Sequence, residues 1–286
     1  MALTSTPAVT GAVPTMPRPL LGWGLHDGLV VAKRNLLQTI RVPELLFFSL
    51  VQPVIFVVMF AFVFGGAIPI PGSDDPNAYR EYLVPGIFGQ TVAFASAAST
   101  VGLAEDMHKG IIDRFRSLPM YAGAVLFGRT FADAARQILV LTVLTITGLA
   151  VGWRINDGAP KAMLAYLLLL VFAYTMAWIG SWIGLYMATP ETANTAGLIW
   201  LFPLTFISNA FVPTRGMPQW LQVLAEWNPL SSLVLACRQL FGNPTGIPTQ
   251  AWPMQHPIEY TLISCAVLLA VFIPLAVRKY RRTTAK

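Results

Sequence analysis

The sequence predicts an all-α integral membrane protein with six transmembrane helices, and three observations predict it. Of 286 residues, 55% are hydrophobic and 11% charged, against roughly 25% charged in an average soluble domain. Six apolar stretches reach the length that a helix rising about 1.5 Å per residue needs to cross about 30 Å of hydrocarbon. The cations also collect at alternate junctions between those stretches, which fixes an orientation.

Residues 1–24 are rich in Thr, Pro and Ala and lack an apolar signal region, so they are expected as a disordered cytoplasmic tail. An amphipathic helix follows over 25–40. Leu25, Leu29, Leu36 and Ile40 share one sector, with Asp27, Arg34, Gln38 and Arg41 opposite. It is expected to lie flat at the inner interface; a plain cytoplasmic helix is the alternative.

The first span covers 45–64 and ends at Gly65 and Gly66. The second, 82–104, is flecked with Gln90, Thr91, Ser96, Ser99 and Thr100. The third (131–151) and fourth (163–187) form a hairpin around the polar turn 153–160. The fifth, 192–212, opens with Thr189 as N-cap and Pro190 at the first helical position. The sixth, 260–277, closes on Arg278, Lys279, Arg281 and Arg282, so that 25–278 reads as one transmembrane domain and 279–286 as a basic tail.

Between the last two spans, Trp220, Leu224 and Trp227 recur at helical spacing. After Asn228-Pro229 a second amphipathic stretch carries Leu230, Leu233, Val234, Leu240 and Phe241. Neither piece is long enough to span, and a seventh span would carry the basic tail outside. A pair of short re-entrant or interfacial helices on the outer face satisfies both constraints.

Laid end to end, these spans put fourteen of the nineteen Lys and Arg residues on one side. The other side takes Arg80, Arg154, Lys161, Arg215 and Arg238. The richer side is cytoplasmic and holds both termini. That edge-of-span placement also explains the net charge of +6 without nucleic acid. Cys237 and Cys265 form no CxxC or Cys/His cluster, so no disulfide framework or metal knuckle is indicated. No Gly-x-x-x-x-Gly-Lys-Ser/Thr, His-Glu-x-x-His or Gly-x-Ser-x-Gly occurs, and His26, His108 and His256 fall far apart, so neither a catalytic nor a metal site is expected.

The loop after the second span is densely charged. Met107, Ile111, Phe115 and Leu118 form one apolar stripe, and Glu105, Lys109, Asp113, Arg114 and Arg116 surround it. Such a surface can dock into a groove on a soluble partner; an ordinary connecting loop is the alternative. Arg129, Asp133 and Arg136 enter the third span at i, i+4 and i+7 and are expected to form an ion-pair ladder near the inner leaflet. A proton relay is the alternative, disfavoured because flanking arginines keep Asp133 ionised. Gly180-Ser-Trp-Ile-Gly184 is a GxxxG that permits close helix approach.

The run Lys109-Gly-Ile-Ile-Asp-Arg-Phe-Arg-Ser-Leu-Pro-Met120 resembles the coupling-loop signature of type 2 ABC-transporter permeases, in their daunorubicin-resistance (DrrB-like) branch. Phe202-Pro-Leu-Thr-Phe-Ile-Ser-Asn-Ala-Phe-Val212, Met217-Pro-Gln-Trp-Leu221, Asn228-Pro-Leu230, Val42-Pro-Glu-Leu45 and Leu83-Val-Pro-Gly86 are similar to the same branch in the same order. The resemblance implies a half-transporter that pairs with a second permease copy or paralogue and with two ABC-type ATPase subunits. ATP and magnesium would be held by those subunits and no cofactor by this chain. It also implies that the ATPase touches a coupling helix, Glu105, Met107, Lys109, Ile111, Asp113, Arg114, Phe115, Arg116 and Leu118. The interfacial helix, Leu29, Lys33, Arg34, Leu36 and Ile40 with Glu44 beyond it, would touch it too. Pro53 and Pro203 remove backbone hydrogen bonds and permit kinks. With the second span, these helices would line a substrate route whose polar points are Gln52, Gln90, Ser208 and Asn209. The expected cargo is hydrophobic or amphiphilic, a drug-like polyketide or a lipid, exported across the bacterial inner membrane. Two other classes remain. An ion-coupled secondary transporter predicts mid-span carboxylates, which are lacking here; a non-transporting membrane scaffold is the third class.

Overall fold

A computed structural model describes residues 28, 30–36, 43–65, 68–71, 78–110, 122–246 and 250–283. The described chain is all-helical. In chain order the helices are α1 (residues 30–36), α2 (Pro43–Val63), α3 (Ala78–His108), α4 (Ala122–Val151), α5 (Ala159–Gly184), α6 (Pro190–Phe206), α7 (Gln219–Glu226), α8 (Pro229–Phe241), α9 (Trp252–Gln255) and α10 (Pro257–Thr283). Four of them, α3, α4, α5 and α10, are long and apolar enough to cross a membrane. Helix α6 is apolar too, but its 17 residues rise only about 26 Å.

Helix α3 is the central post. Small residues let its neighbours approach to backbone contact, the usual solution where lipid supplies no hydrophobic drive between helices. A Cβ on Gly180 of α5 would overlap the Ser96 carbonyl oxygen, and one on Gly184 would lie 2.6 Å from that of Thr100. Gly197 of α6 meets Ala97 of α3 in the same way, at 3.2 Å from its Cα. The GxxxG of α5 is thus a packing seam. At one end of the bundle Trp153 plugs the α4–α5 turn, edge-on to Phe88 and Phe241, and its indole donates to Asn243 Oδ1 at 2.8 Å. At the other end Leu103, Leu126, Trp178, Ala276 and Tyr280 form a smaller cluster. That end also carries Lys33, Arg34, Lys109, Arg129, Arg136 and the cations that close α10, and is here the basic end.

Most element boundaries lie within four residues of the sequence expectation, and three depart further. Helix α4 starts at Ala122, nine residues before the expected third span, because Arg129 is partnered and need not be excluded. Helix α6 ends at Phe206, six residues before the expected limit, because outside groups take the carbonyls that follow it. Helix α10 runs on to Thr283, so the cations expected in a tail form its last turns, where they complement the helix dipole. The start of α6 is as expected: the Thr189 hydroxyl accepts from the Thr192 amide, with Pro190 at the first position. Such a cap contributes about 1 kcal/mol. Of the two short helices expected on the outer face, α7 exposes Trp220, Val223 and Leu224, with exposed Trp227 just beyond it, whereas α8 is buried on nearly every side.

Candidate functional site

Two polar districts stand out in this apolar body. At the basic end, Ser99, Gly102 and Asp106 lie on one face of α3 at i, i+3 and i+7, opposite Arg129, Asp133 and Arg136 of antiparallel α4. Arg129 forms an ion pair with Asp106. The Ser99 hydroxyl donates to Asp133 Oδ2 at 2.6 Å, and Arg136 stands 3.5 Å from Asp133 Oδ1. Gly102 makes room for this seam: a Cβ there would overlap the Arg129 guanidinium. Only part of the expected ladder is intrahelical, since Arg129 turns to α3 and leaves Asp133 to Arg136. The physical reason is direction. Helical side chains lean toward their N-terminus, which carries Arg129 away from Asp133 and toward the end of α3.

Helix α3 ends at His108, and Gly110 follows in the left-handed conformation (φ 64°) that favours glycine. Glu105 and Lys109 pair at 3.0 Å on the exposed side, and Met107 packs partly buried against the basic-end cluster. Ile111, Asp113, Arg114, Phe115, Arg116 and Leu118 lie outside the described residues, as do Leu29 and Ile40. Helix α1 presents Gly28, Val31 and Ala32 to Gly128 of α4, where backbones nearly touch. Leu36 is only half-buried, Lys33 is exposed and Arg34 is half-buried. Of the leucine sector that the periodicity singled out, Leu36 alone lies among the described residues. Glu44 falls in the first turn of α2.

At the opposite end the chain unwinds after α6 and is held by one face of α8. Asn228, the N-cap of α8, donates to the Leu204 and Ile207 carbonyls, at 2.6 Å each. Ser231 Oγ accepts from the Asn209 amide at 3.1 Å. Arg238, fully buried, donates from Nε to the Tyr82 carbonyl at 2.8 Å and from Nη2 to those of Asn209 and Ala210 at 3.0 Å each. Its guanidinium also lies 3.4 Å from the centre of the Tyr82 ring. No acid pairs with it among the described residues. Three carbonyls and a π-face replace the counter-charge that a buried cation otherwise requires. Gly86 allows the approach, since a Cβ there would overlap the Ala210 carbonyl oxygen.

These contacts divide the six residues expected along a substrate route. Gln52 on α2 and Pro203 on α6 are exposed. Pro53, Gln90, Ser208 and Asn209 are buried in the chain's own packing, with Ser208 bonded to the Thr205 carbonyl and the Ala210 amide. The structure does not gather the six along one surface. Asp106 and Arg238, on which these two districts are built, were not singled out from the sequence. The available signal was an acid next to Glu105 at the start of the charged loop, and a single arginine on an apolar helix in register with Asn228 and Ser231.

The family described as ABC-2 type transporter matches residues 28–241. The chain is 32% identical over 285 residues to "Daunorubicin resistance ABC transporter permease protein DrrB1" of Streptomyces coeruleorubidus, covering 98% of this chain and 96% of that protein. It is 26% identical over 226 residues to "Doxorubicin resistance ABC transporter permease protein DrrB" of Mycobacterium tuberculosis, covering 77% and 78%. A "Putative transport permease ycf38" of Cyanophora paradoxa is 25% identical over 220 residues, covering 77% and 75%.

Proposed function

Because the chain belongs to the ABC-2 type transporter family, we propose that it is the permease subunit of an ATP-driven exporter for a hydrophobic or amphiphilic drug, polyketide or lipid. The observation that carries this reading is similarity along 98% of the chain to a permease named for daunorubicin resistance. The permease sits in the bacterial inner membrane with its basic end, and both termini, in the cytoplasm. It crosses six times: α2 and α6 join the four longer helices, and residues 207–212 complete the crossing that α6 begins. A separate ABC-type ATPase subunit, which holds ATP and magnesium, docks on the coupling segment 105–118 and on α1. A second permease, identical or paralogous, completes the route. Exposed Phe62 of α2 and Phe202 and Phe206 of α6 suit either that partner or lipid. ATPase closure then moves the docked segments, and the rigid-body shift of the helices behind them alternates access.

The ties on Asp133 favour this reading over ion coupling. Asp133 is bonded to Ser99 and faced by Arg136, which commits it to joining α3 and α4, whereas ion coupling calls for carboxylates free near the bilayer midplane. The deciding experiment is co-expression with its ATPase subunit, purification, and daunorubicin uptake into inside-out vesicles. Uptake should require ATP and survive collapse of the proton gradient. Uptake by the permease alone, or uptake abolished by an uncoupler at constant ATP, would overturn the reading.

A further inference from the structure

We propose that the Asp106–Arg129 pair, seated over Gly102, is a clip that closes the base of the coupling segment and makes α3 and α4 move as one lever. These three residues are then positioning residues: they set how much of each ATP turnover reaches the transport route. The inference rests on the permease reading above.

The argument starts from where the segment is rooted. Residues 109–121 join the end of α3 at His108 to the start of α4 at Ala122. A push on a loop tied only through its backbone spreads its two roots apart instead of displacing the helices behind it. Here the roots are cross-tied, by Asp106 to Arg129 near the loop and by Ser99 to Asp133 two turns deeper. Helix α1 packs on the same turn of α4, at Gly128. The two parts of the chain read as ATPase contacts therefore converge on residues 128 and 129.

The clip also stands apart from the packing that holds the fold together. Helix α3 meets α5 and α6 through Ser96, Ala97 and Thr100, on a different face from Gly102 and Asp106. Both side chains of the pair keep some solvent access, 15% for Arg129 and 23% for Asp106. Arg129 Nε is buried with no partner among the described residues, so Asp106 is the acid that holds that guanidinium across α3. Alanine at 102 favours the helix intrinsically but takes the space the guanidinium occupies, so it opens the clip without removing a charge.

The test uses the permease–ATPase complex in proteoliposomes, with daunorubicin as probe and ATP hydrolysis measured in the same vesicles. Asp106→Asn, Arg129→Gln and Gly102→Ala should each keep ATP turnover and lose about tenfold in drug moved per ATP, a typical coupling loss. Combining Asp106→Arg with Arg129→Asp should restore most of that ratio. Wild-type drug per ATP in Asp106→Asn or Gly102→Ala overturns the proposal. So does a well-folded charge swap that stays as uncoupled as the single variants. Should the charge variants fail to fold, Gly102→Ala carries the decision alone. Wild-type vesicles without ATP-dependent uptake would remove the exporter reading and this inference together, an outcome distinct from a variant that matches wild type.

Discussion

At the Arg238 guanidinium, main-chain carbonyls of three residues do the work of a missing acid. Arg238→Met removes three charge-assisted bonds, worth about 1.5–3 kcal/mol each, and leaves the Asn209 carbonyl with the Tyr82 hydroxyl as donor. The thermal midpoint of the detergent-solubilised protein should fall by well over 5 °C, taking roughly 2–4 °C per kcal/mol. Arg238→Lys should recover only part of the loss, because an ammonium lacks the planar fork. A midpoint unchanged in the methionine variant would show that the carbonyls find other donors. Periodicity placed Arg238 on an outer helix but could not say what its face meets. The bonds to residues 82 and 209 close over separations of 156 and 29 residues, and no local pattern carries that information. The spacing of Arg129 was ambiguous for a similar reason, since one helix considered alone offers Asp133 and only two helices together offer Asp106.

Among the elements, the start of α6 and the hairpin between α4 and α5 were legible because they rest on local chemistry, such as Thr189 with Pro190. The ends of α6 and α10 were not, because hydropathy reports where apolar residues stop and not where the backbone stops coiling. Seams between helices were half legible: the GxxxG of α5 was visible, while its partners Ser96 and Thr100 were not. Gly180→Leu should abolish accumulation of folded protein in the membrane by forcing α5 off α3. Gly216→Ala, at a position with nothing within 4 Å of the added carbon, should express as wild type. Equal yields from the two variants, read by fluorescence-detected size exclusion, would contradict close α3–α5 packing.

For the whole molecule, the proposed orientation rests on the placement of charge, and it can be checked chemically. Cys237 and Cys265 are buried, so background labelling by a membrane-impermeant maleimide should be low. Thr283→Cys should react only in inside-out vesicles and Trp220→Cys only in right-side-out cells; the reverse pattern would invert the topology. Buried α8 has a bearing on biogenesis as well. A buried arginine without partners is costly, and the groups that accommodate Arg238 lie on segments earlier in the chain. Helix α8 is therefore expected to seat late, as a keystone in a socket shaped by α3 and the unwound turn, and a chain truncated before residue 228 should be cleared from the membrane faster than the full-length one.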